Sequence, residues 1–196
     1  EEIFSMEELI EKFSIERISK AGAKFDINKA IWFNQQYIRK QPIGTLAEEV
    51  LTLAKANNHE CSDSKAADIA DLLRERIDII PELYEKGKYF FVAPNSFVEK
   101  IVVKKWKPET KKILSDFVEL LDKKSNLSQE QYQENLNVAA EKNNTGAGSV
   151  MQLLRVAVTG EQGGPDLMKI MEVLGTPETI DRINSAIVEF DKLTKS

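Results

Sequence analysis

Apolar residues recur along the chain at the three- and four-residue spacing of amphipathic helices, and polar capping residues or prolines precede most of these stretches. One such helix is predicted over residues 28–39, behind a capping Asp26. Another is predicted from a Thr45–Glu48 capping box to about residue 56. In chain order, the predicted helix starts are Ser5, Asp26, Thr45, Ser62 or Ser64, Pro81, Pro108, Ser128, Ser149, Pro165 and Thr176.

β-prone residues are few and lie in two short runs, 89–92 and 101–103. Pro94 and basic residues flank these runs, so we expect extended connectors rather than a sheet. The predicted fold class is therefore all-α, with two irregular helical bundles in tandem. The predicted boundaries are a turn at residues 41–44 and a connector at residues 86–94.

The chain has 196 residues, of which 42% are hydrophobic, and a net charge of -5. This composition can build a real core, but the net charge gives no reason to expect binding to nucleic acid or to an anionic membrane. We find no targeting signal and no apolar run long enough to span a membrane. The chain begins at Glu1, without Met, and enters a helix-start pattern at once, so we expect a piece of a longer polypeptide.

Residues that carry chemistry are scarce. A single cysteine, Cys61, allows no internal disulfide and fits a reducing, cytoplasmic compartment. His59 is the single histidine, and no set of ligands completes a metal site. No glycine-rich phosphate loop and no nucleophile elbow occur, so we expect no catalytic site, cofactor or metal, although a site built from carboxylates alone stays open.

Polar residues on the helix after Ser149 are the main binding candidates. Gln152, Arg155 and Thr159 share one face of an otherwise apolar helix, and the small loop Gly163-Gly164-Pro165 follows. Amide and guanidinium groups beside such a loop suit the base edges of unstacked RNA. The alternative is an ordinary solvated face and a simple turn, with Leu167 in the core. If Arg155 is exposed, its replacement by Ala should leave stability nearly unchanged.

Two further places can be interpreted in two ways. Arg76 shares a helical face with Leu72 and Leu73 near a helix end, where it could border a binding surface or cover apolar surface with its stem. The basic stretch 100–112 contains Lys105 and Trp106. Trp106 could stack on a base or anchor a connector to the core.

Three segments resemble bacterial glutamyl-tRNA synthetase, in the part that follows its catalytic domain. They are KFDINKAIWFNQQYIRK, LLRERIDIIPELYEK and VMQLLRVAVTGEQGGPDLMKIMEVLG. The resemblance covers essentially the whole chain. It implies the end of a tRNA stem-contact domain at 1–42 and two helical anticodon-binding subdomains at 43–88 and 89–196. The family's His-x-Gly-His and Lys-Met-Ser-Lys-Ser signatures are absent here.

The resemblance also implies a parent enzyme and a partner. The family is a cytoplasmic class I ligase that joins glutamate to tRNA(Glu), using ATP and Mg in its catalytic domain. A monomer is implied, and neither DNA nor membrane is a partner. The alternative is a helical protein-interaction module without RNA contact.

Particular positions carry implied roles. Arg76 matches the position that reads the first anticodon base, whereas Gln152, Arg155, Pro165 and Leu167 match those around the second and third bases. The family pattern departs at two places: Leu153 stands where a proline is usual, and no arginine occurs near Leu136 or Asn137. Further tRNA contacts are expected at Arg39, Thr159, Gly164, Lys105 and Trp106.

Overall fold

The computed structural model describes residues 3–18, 22, 24–121 and 126–194, and this part of the chain is helical without strands. Glu1, on which the expectation of a longer polypeptide rests, lies outside it. The all-α prediction is confirmed. The α-helices are α1 Met6–Lys12, α2 Ile27–Lys40, α3 Ile43–Ala56, α4 Asp63–Leu73, α5 Glu82–Glu85, α6 Glu99–Lys105, α7 Pro108–Leu120, α8 Gln129–Lys142, α9 Met151–Thr159, α10 Leu167–Leu174 and α11 Thr176–Leu193. Short 3₁₀ helices occur at Ile15–Arg17, Lys88–Phe90 and Ala147–Ser149.

Several predicted caps are present as hydrogen bonds. The Asp26 side chain accepts from the backbone N–H groups of Asn28 and Lys29. Ser5 and Ser128 each form a full capping box, and the Ser62 hydroxyl accepts from the Lys65 N–H. These bonds satisfy N–H groups that have no partner within the helix, so local sequence sets where these helices begin.

Three predicted helix starts are wrong by two residues. Helix α3 begins at Ile43, so Thr45 already lies inside the helix, with its N–H donating to the Pro42 carbonyl. Helix α10 begins at Leu167 because Asp166, rather than Pro165, caps it through the Lys169 N–H at 3.0 Å. Ser149 ends a 3₁₀ turn, and α9 starts at Met151.

The two β-prone runs, predicted to be extended, are mostly helical. Tyr89 and Phe90 lie in the 3₁₀ helix Lys88–Phe90, and residues 101–103 lie inside α6. Ile101 and Val102 are buried where α6 packs against α9 and α11. Burial of these side chains outweighs their weak intrinsic preference for strands.

The helices pack in two groups around a continuous core. Helices α3, α4 and α5 contact one another, and α6 to α11 form the larger group. Helix α10 joins the groups by packing against α4 and the 3₁₀ helix Lys88–Phe90. Buried residues from Ile38 to Phe190 accordingly form one cluster. The domain boundaries at residues 42 and 88 stay predictions. No helix in the described ranges is both long and apolar enough to cross a membrane.

A buried carboxylate joins α7 to the end of α8. Asp116 accepts from Lys142 Nζ and from Asn143 Nδ2, each at 2.7 Å, and lies 3.6 Å from Lys112 Nζ. The hydrogen bonds from Lys142 and Asn143 lower the pKa of Asp116 from 3.8 to about 2. The ionised form therefore favours the folded state.

Replacing Asp116 by Asn should lower stability at pH 7, and this deficit should shrink as the pH falls to about 2. Because the folded pKa lies below the unfolded one, the stabilisation is full above about pH 4 and is lost as protons bind. The stability deficit is measured from the urea midpoints of wild type and variant at several pH values. Asp71→Asn is the matched control and should change the midpoint little, because Asp71 is exposed and lies 3.7 Å from its partner Arg74. A deficit that stays constant with pH would contradict the prediction.

Candidate nucleic-acid interface

A cavity of about 590 Å³ lies between the two helix groups. Its first wall comes from the end of α4 and the segment after α5, and its second wall from the loop after α9. Clefts of this size hold small ligands or parts of larger ones. The lining residues are Leu73, Arg76, Glu85, Lys86, Lys88, Tyr89, Val92, Ala93, Pro94, Asn95, Ser96, Thr159, Gly160, Glu161, Gly163, Gly164 and Pro165.

Arg76 borders this cavity in the turn that follows α4. Its backbone is fixed at both ends, because its N–H donates to the Leu73 carbonyl and its own carbonyl accepts from Lys86 Nζ at 2.7 Å. The side chain is exposed, and its guanidinium has no hydrogen bond or ion pair with any residue that the structure describes. Arg76 therefore presents a free fork of donors on a fixed backbone, rather than serving only to cover apolar surface.

Arg155 lies behind the second wall and holds it in place. Its Nη2 donates to the Pro165 carbonyl at 2.8 Å, and Thr159 Oγ1 donates to the Arg155 carbonyl at 2.8 Å. The side chain is partly buried, and burial is the main cause that lowers the pKa of Arg155. The exposure assumed for Arg155 is thus wrong, and Arg155→Ala should cost stability because the Pro165 carbonyl loses its donor.

Gly164 provides the space for this arrangement. Its backbone φ angle of +141° lies in a region that residues other than glycine rarely adopt. A Cβ at this position would also lie 3.1 Å from Arg155 Nη1. Any other residue at position 164 would therefore strain the backbone and press against the guanidinium of Arg155.

The cavity brings together Arg76, Thr159, Gly164 and Pro165, which the sequence had picked from two distant stretches. Gln152 and Leu167 do not line it: Gln152 is half-buried on α9, and Leu167 is buried in the core. Arg39 lies outside as well, where its Nε pairs with Glu75 at 2.9 Å. The roles implied for these three residues stay predictions.

The basic stretch around Trp106 also lies outside the cavity. Trp106 is 8% exposed, its Nε1 donates to Asp191 at 3.0 Å, and its ring packs edge-on against Phe190. This burial supports an anchor to the core and leaves little ring face for a base. Lys105 is half-buried beside it.

The two departures from the family pattern lie on α8 and α9. Leu136 and Leu153 are fully buried, so a charged side chain at position 136 would lie in the core. Asn137 is exposed, and nothing in the structure explains why no arginine stands there.

His59 stacks on Tyr84 and Phe91, with its Nε2 3.0 Å from the Tyr84 hydroxyl. Among the described residues no cluster of His, Cys, Asp and Glu could hold a metal ion.

Comparison with known proteins identifies the family. Residues 45–187 match the model of a family described as an anticodon binding domain, which is more than half of the chain. The chain belongs to the anticodon-binding domain family. Both cavity walls lie within the matched residues.

Relatives of this anticodon-binding domain are longer proteins. It is 42% identical over 187 residues to a glutamate–tRNA ligase of Porphyromonas gingivalis strain W83, and 38% identical over 197 residues to one of Cytophaga hutchinsonii. These matches cover 95% and 100% of the chain but only 37% and 38% of the relatives. The chain also resembles a crystal structure of a glutamate tRNA ligase from Elizabethkingia meningosepticum, with a TM-score of 0.87 and 40% sequence identity. The match covers 96% of this chain and 37% of the chain in that crystal structure.

Several residues that line the cavity of this anticodon-binding domain were not singled out from the sequence. They come from residues 85–96, most of which lie in the stretch 86–94 that was interpreted only as a connector. Tyr89 is the most informative, because a buried tyrosine usually needs a partner for its hydroxyl. The available signal for this segment was the polar turn Pro94-Asn95-Ser96, which follows the aromatic run 89–91 after Val92 and Ala93, but it does not single out Tyr89.

Proposed function

We propose that this chain reads the anticodon of tRNA(Glu) within a glutamate–tRNA ligase. One observation carries the proposal: the cavity joins Arg76 to the 163–165 loop, and both walls belong to the region matched by the anticodon-binding family. The choice of glutamate and of its tRNA rests on the relatives, which are named glutamate–tRNA ligase. Activation of glutamate with ATP and Mg belongs to the rest of such a ligase. The proposed location of the ligase is the cytoplasm, and its proposed oligomeric state is a monomer.

The chemistry of the walls suits unstacked RNA bases. The charged residues of the lining are Arg76, Lys86, Lys88, Glu85 and Glu161, so basic side chains outnumber acidic ones although the chain as a whole is acidic. Asn95 and Ser96 add neutral donors and acceptors. Exposed Gly163 and Gly164 let a base approach the backbone closely. Unstacked bases are read by stacking on aromatic or arginine side chains and by hydrogen bonds to their edges, and these residues offer such hydrogen bonds.

Salt separates this proposal from the alternative of a protein-interaction module. Cationic side chains that neutralise phosphates release counterions, so RNA affinity falls steeply as salt rises. The measurement is a titration of the chain with a tRNA(Glu) anticodon stem-loop at two salt concentrations. Absence of binding at low salt would contradict the proposed function.

Arg76→Gln should mainly erode the preference for the first anticodon base, at a cost of about 1–3 kcal/mol in binding. The reason is that a free guanidinium at the cavity can donate two parallel hydrogen bonds, whereas an amide donates through a single nitrogen. Binding is compared across stem-loops that differ only at that base. The melting temperature should stay within a few degrees of wild type, because the side chain is exposed.

Arg74→Gln is the matched control for this prediction. Arg74 lies two residues before Arg76 and pairs with Asp71 at 3.7 Å, and it does not line the cavity. The Arg74→Gln substitution removes the same charge as Arg76→Gln, from the same turn. If both variants lose the same affinity for every stem-loop, Arg76 contributes only general charge and does not read a base.

A further inference from the structure

Tyr89 carries a hydroxyl group that the protein does not satisfy. The residue is 8% exposed and lines the cavity, yet its Oη is buried and has no hydrogen-bond partner among the described residues. Tyr132 shows the ordinary situation, because its buried hydroxyl lies 3.0 Å from Thr176 Oγ1. Buried polar groups in native proteins are nearly always paired, so an unpaired one indicates a ligand or a strained site.

Charged residues of both cavity walls act on the Tyr89 hydroxyl. Arg76 lines the first wall and Glu161 lines the second wall, and Tyr89 lines the same cavity. Together with Arg155, these two residues are the charged groups that act on the buried hydroxyl. The unpaired hydroxyl therefore belongs to a residue of the cavity lining with charged groups around it.

The structure holds Tyr89 in this position. Its carbonyl accepts a hydrogen bond from Arg182 Nη1 at 2.7 Å, and its ring packs against Phe90 with ring centres 4.6 Å apart. The hydrogen bond fixes the backbone of Tyr89, and the contact with Phe90 restricts its ring. The side chain is therefore ordered before a ligand binds, so little ordering entropy is lost on binding.

The hydroxyl has the properties of a base reader. Burial raises the pKa of Tyr89 to about 12, despite the nearby arginines, so the group is neutral at physiological pH. A neutral hydroxyl both donates and accepts. A phosphate only accepts hydrogen bonds and would bind more strongly to the cationic side chains of Arg76 and Lys88. The edge of a base, in contrast, presents donors and acceptors side by side.

We propose that Tyr89 is a further specificity-determining residue, whose hydroxyl hydrogen-bonds the polar edge of one unstacked RNA base in the cavity. The inference rests on the proposed function, because it needs RNA in this cavity. It differs from the residue roles implied by family resemblance, since Tyr89 is assigned by its unpaired buried hydroxyl alone.

Tyr89→Phe tests the inference, because it removes one oxygen and keeps the ring. The whole 196-residue chain is titrated with the tRNA(Glu) anticodon stem-loop and with stem-loops changed at each anticodon base. Affinity for the native loop should fall about tenfold, and the preference at one base should relax while the others stay. The melting temperature should stay equal or rise slightly, because no protein hydrogen bond is lost.

Tyr132→Phe is the matched control and should show the opposite pattern, with a lower melting temperature and unchanged RNA affinity. Equal affinity of Tyr89→Phe and wild type overturns the inference, as does a uniform loss across all loops or a melting temperature several degrees lower. If wild type binds no anticodon loop, the proposed function itself fails and takes this inference with it. If wild type binds the native loop and Tyr89→Phe binds it equally well, this inference fails and the proposed function survives.

Discussion

Arg182→Ala is expected to lower the free energy of unfolding by about 3 kcal/mol or more. Arg182 lies on α11, is 4% exposed, and donates through Nη1 to the carbonyls of Tyr89 and Val158, at 2.7 and 2.9 Å. Its Nε pairs with Glu178 at 2.7 Å. Alanine leaves two buried carbonyls without a donor. The Val158 carbonyl lies in the last turn of α9, where carbonyls have no partner within the helix.

Chemical denaturation of wild type and variant measures this loss. Arg74→Ala is the control, because it removes a half-buried arginine whose partner, Asp71, is exposed, and it should change stability by less than about 0.5 kcal/mol. Arg182→Lys should fall between the two, since lysine keeps the charge but not the planar fork of donors. A loss with Arg182→Ala no larger than with Arg74→Ala would show that these buried bonds add little.

Gly87→Ala should destabilise the protein by about 2–3 kcal/mol. The φ of Gly87 is -100°, which any residue adopts, so the penalty comes from packing alone. An added Cβ would lie 2.5 Å from the Leu83 carbonyl oxygen and 2.8 Å from Leu73 Cδ1. The first of these atoms belongs to the backbone of α5 and cannot move without displacing that helix. Thermal or urea unfolding reports the difference.

Gly44→Ala is the control for this prediction, and its effect should have the opposite sign. Gly44 lies inside α3, and a Cβ there would meet nothing within 4 Å. Alanine has the higher helix propensity, so stability should rise by up to about 1 kcal/mol. If both glycines respond alike, the close contacts of the added Cβ at position 87 are absorbed by small shifts of the chain.

Helix positions were predictable where the signal is local. The caps at Asp26, Ser62 and Ser128 each depend on a side chain two or three residues from the N–H that it accepts, so the sequence contains all the information. Residues 101–103 show the opposite case. Their β-branched side chains favour strands locally, and contacts with α9 and α11, distant in sequence, decide for a helix.

The candidate site divides in the same way. Arg76, Thr159, Gly164 and Pro165 were found from helical faces, loop composition and family resemblance, and the structure joins them at one cavity. Tyr89 was not found, because nothing in the sequence shows whether a tyrosine hydroxyl has a partner. The partial burial of Arg155 was missed too, since helical periodicity places it on a polar face and cannot show the Pro165 loop that covers it.

The two cavity walls are far apart along the chain, with α6 to α9 between residues 73–96 and the loop 160–165. The cavity therefore exists only in molecules whose two helix groups are docked. For such a site the apparent dissociation constant equals the intrinsic one divided by the docked fraction. Affinity for RNA would thus depend on the equilibrium between docked and undocked helix groups. A substitution in α11 that touches no base could weaken RNA binding simply by lowering the population of docked molecules.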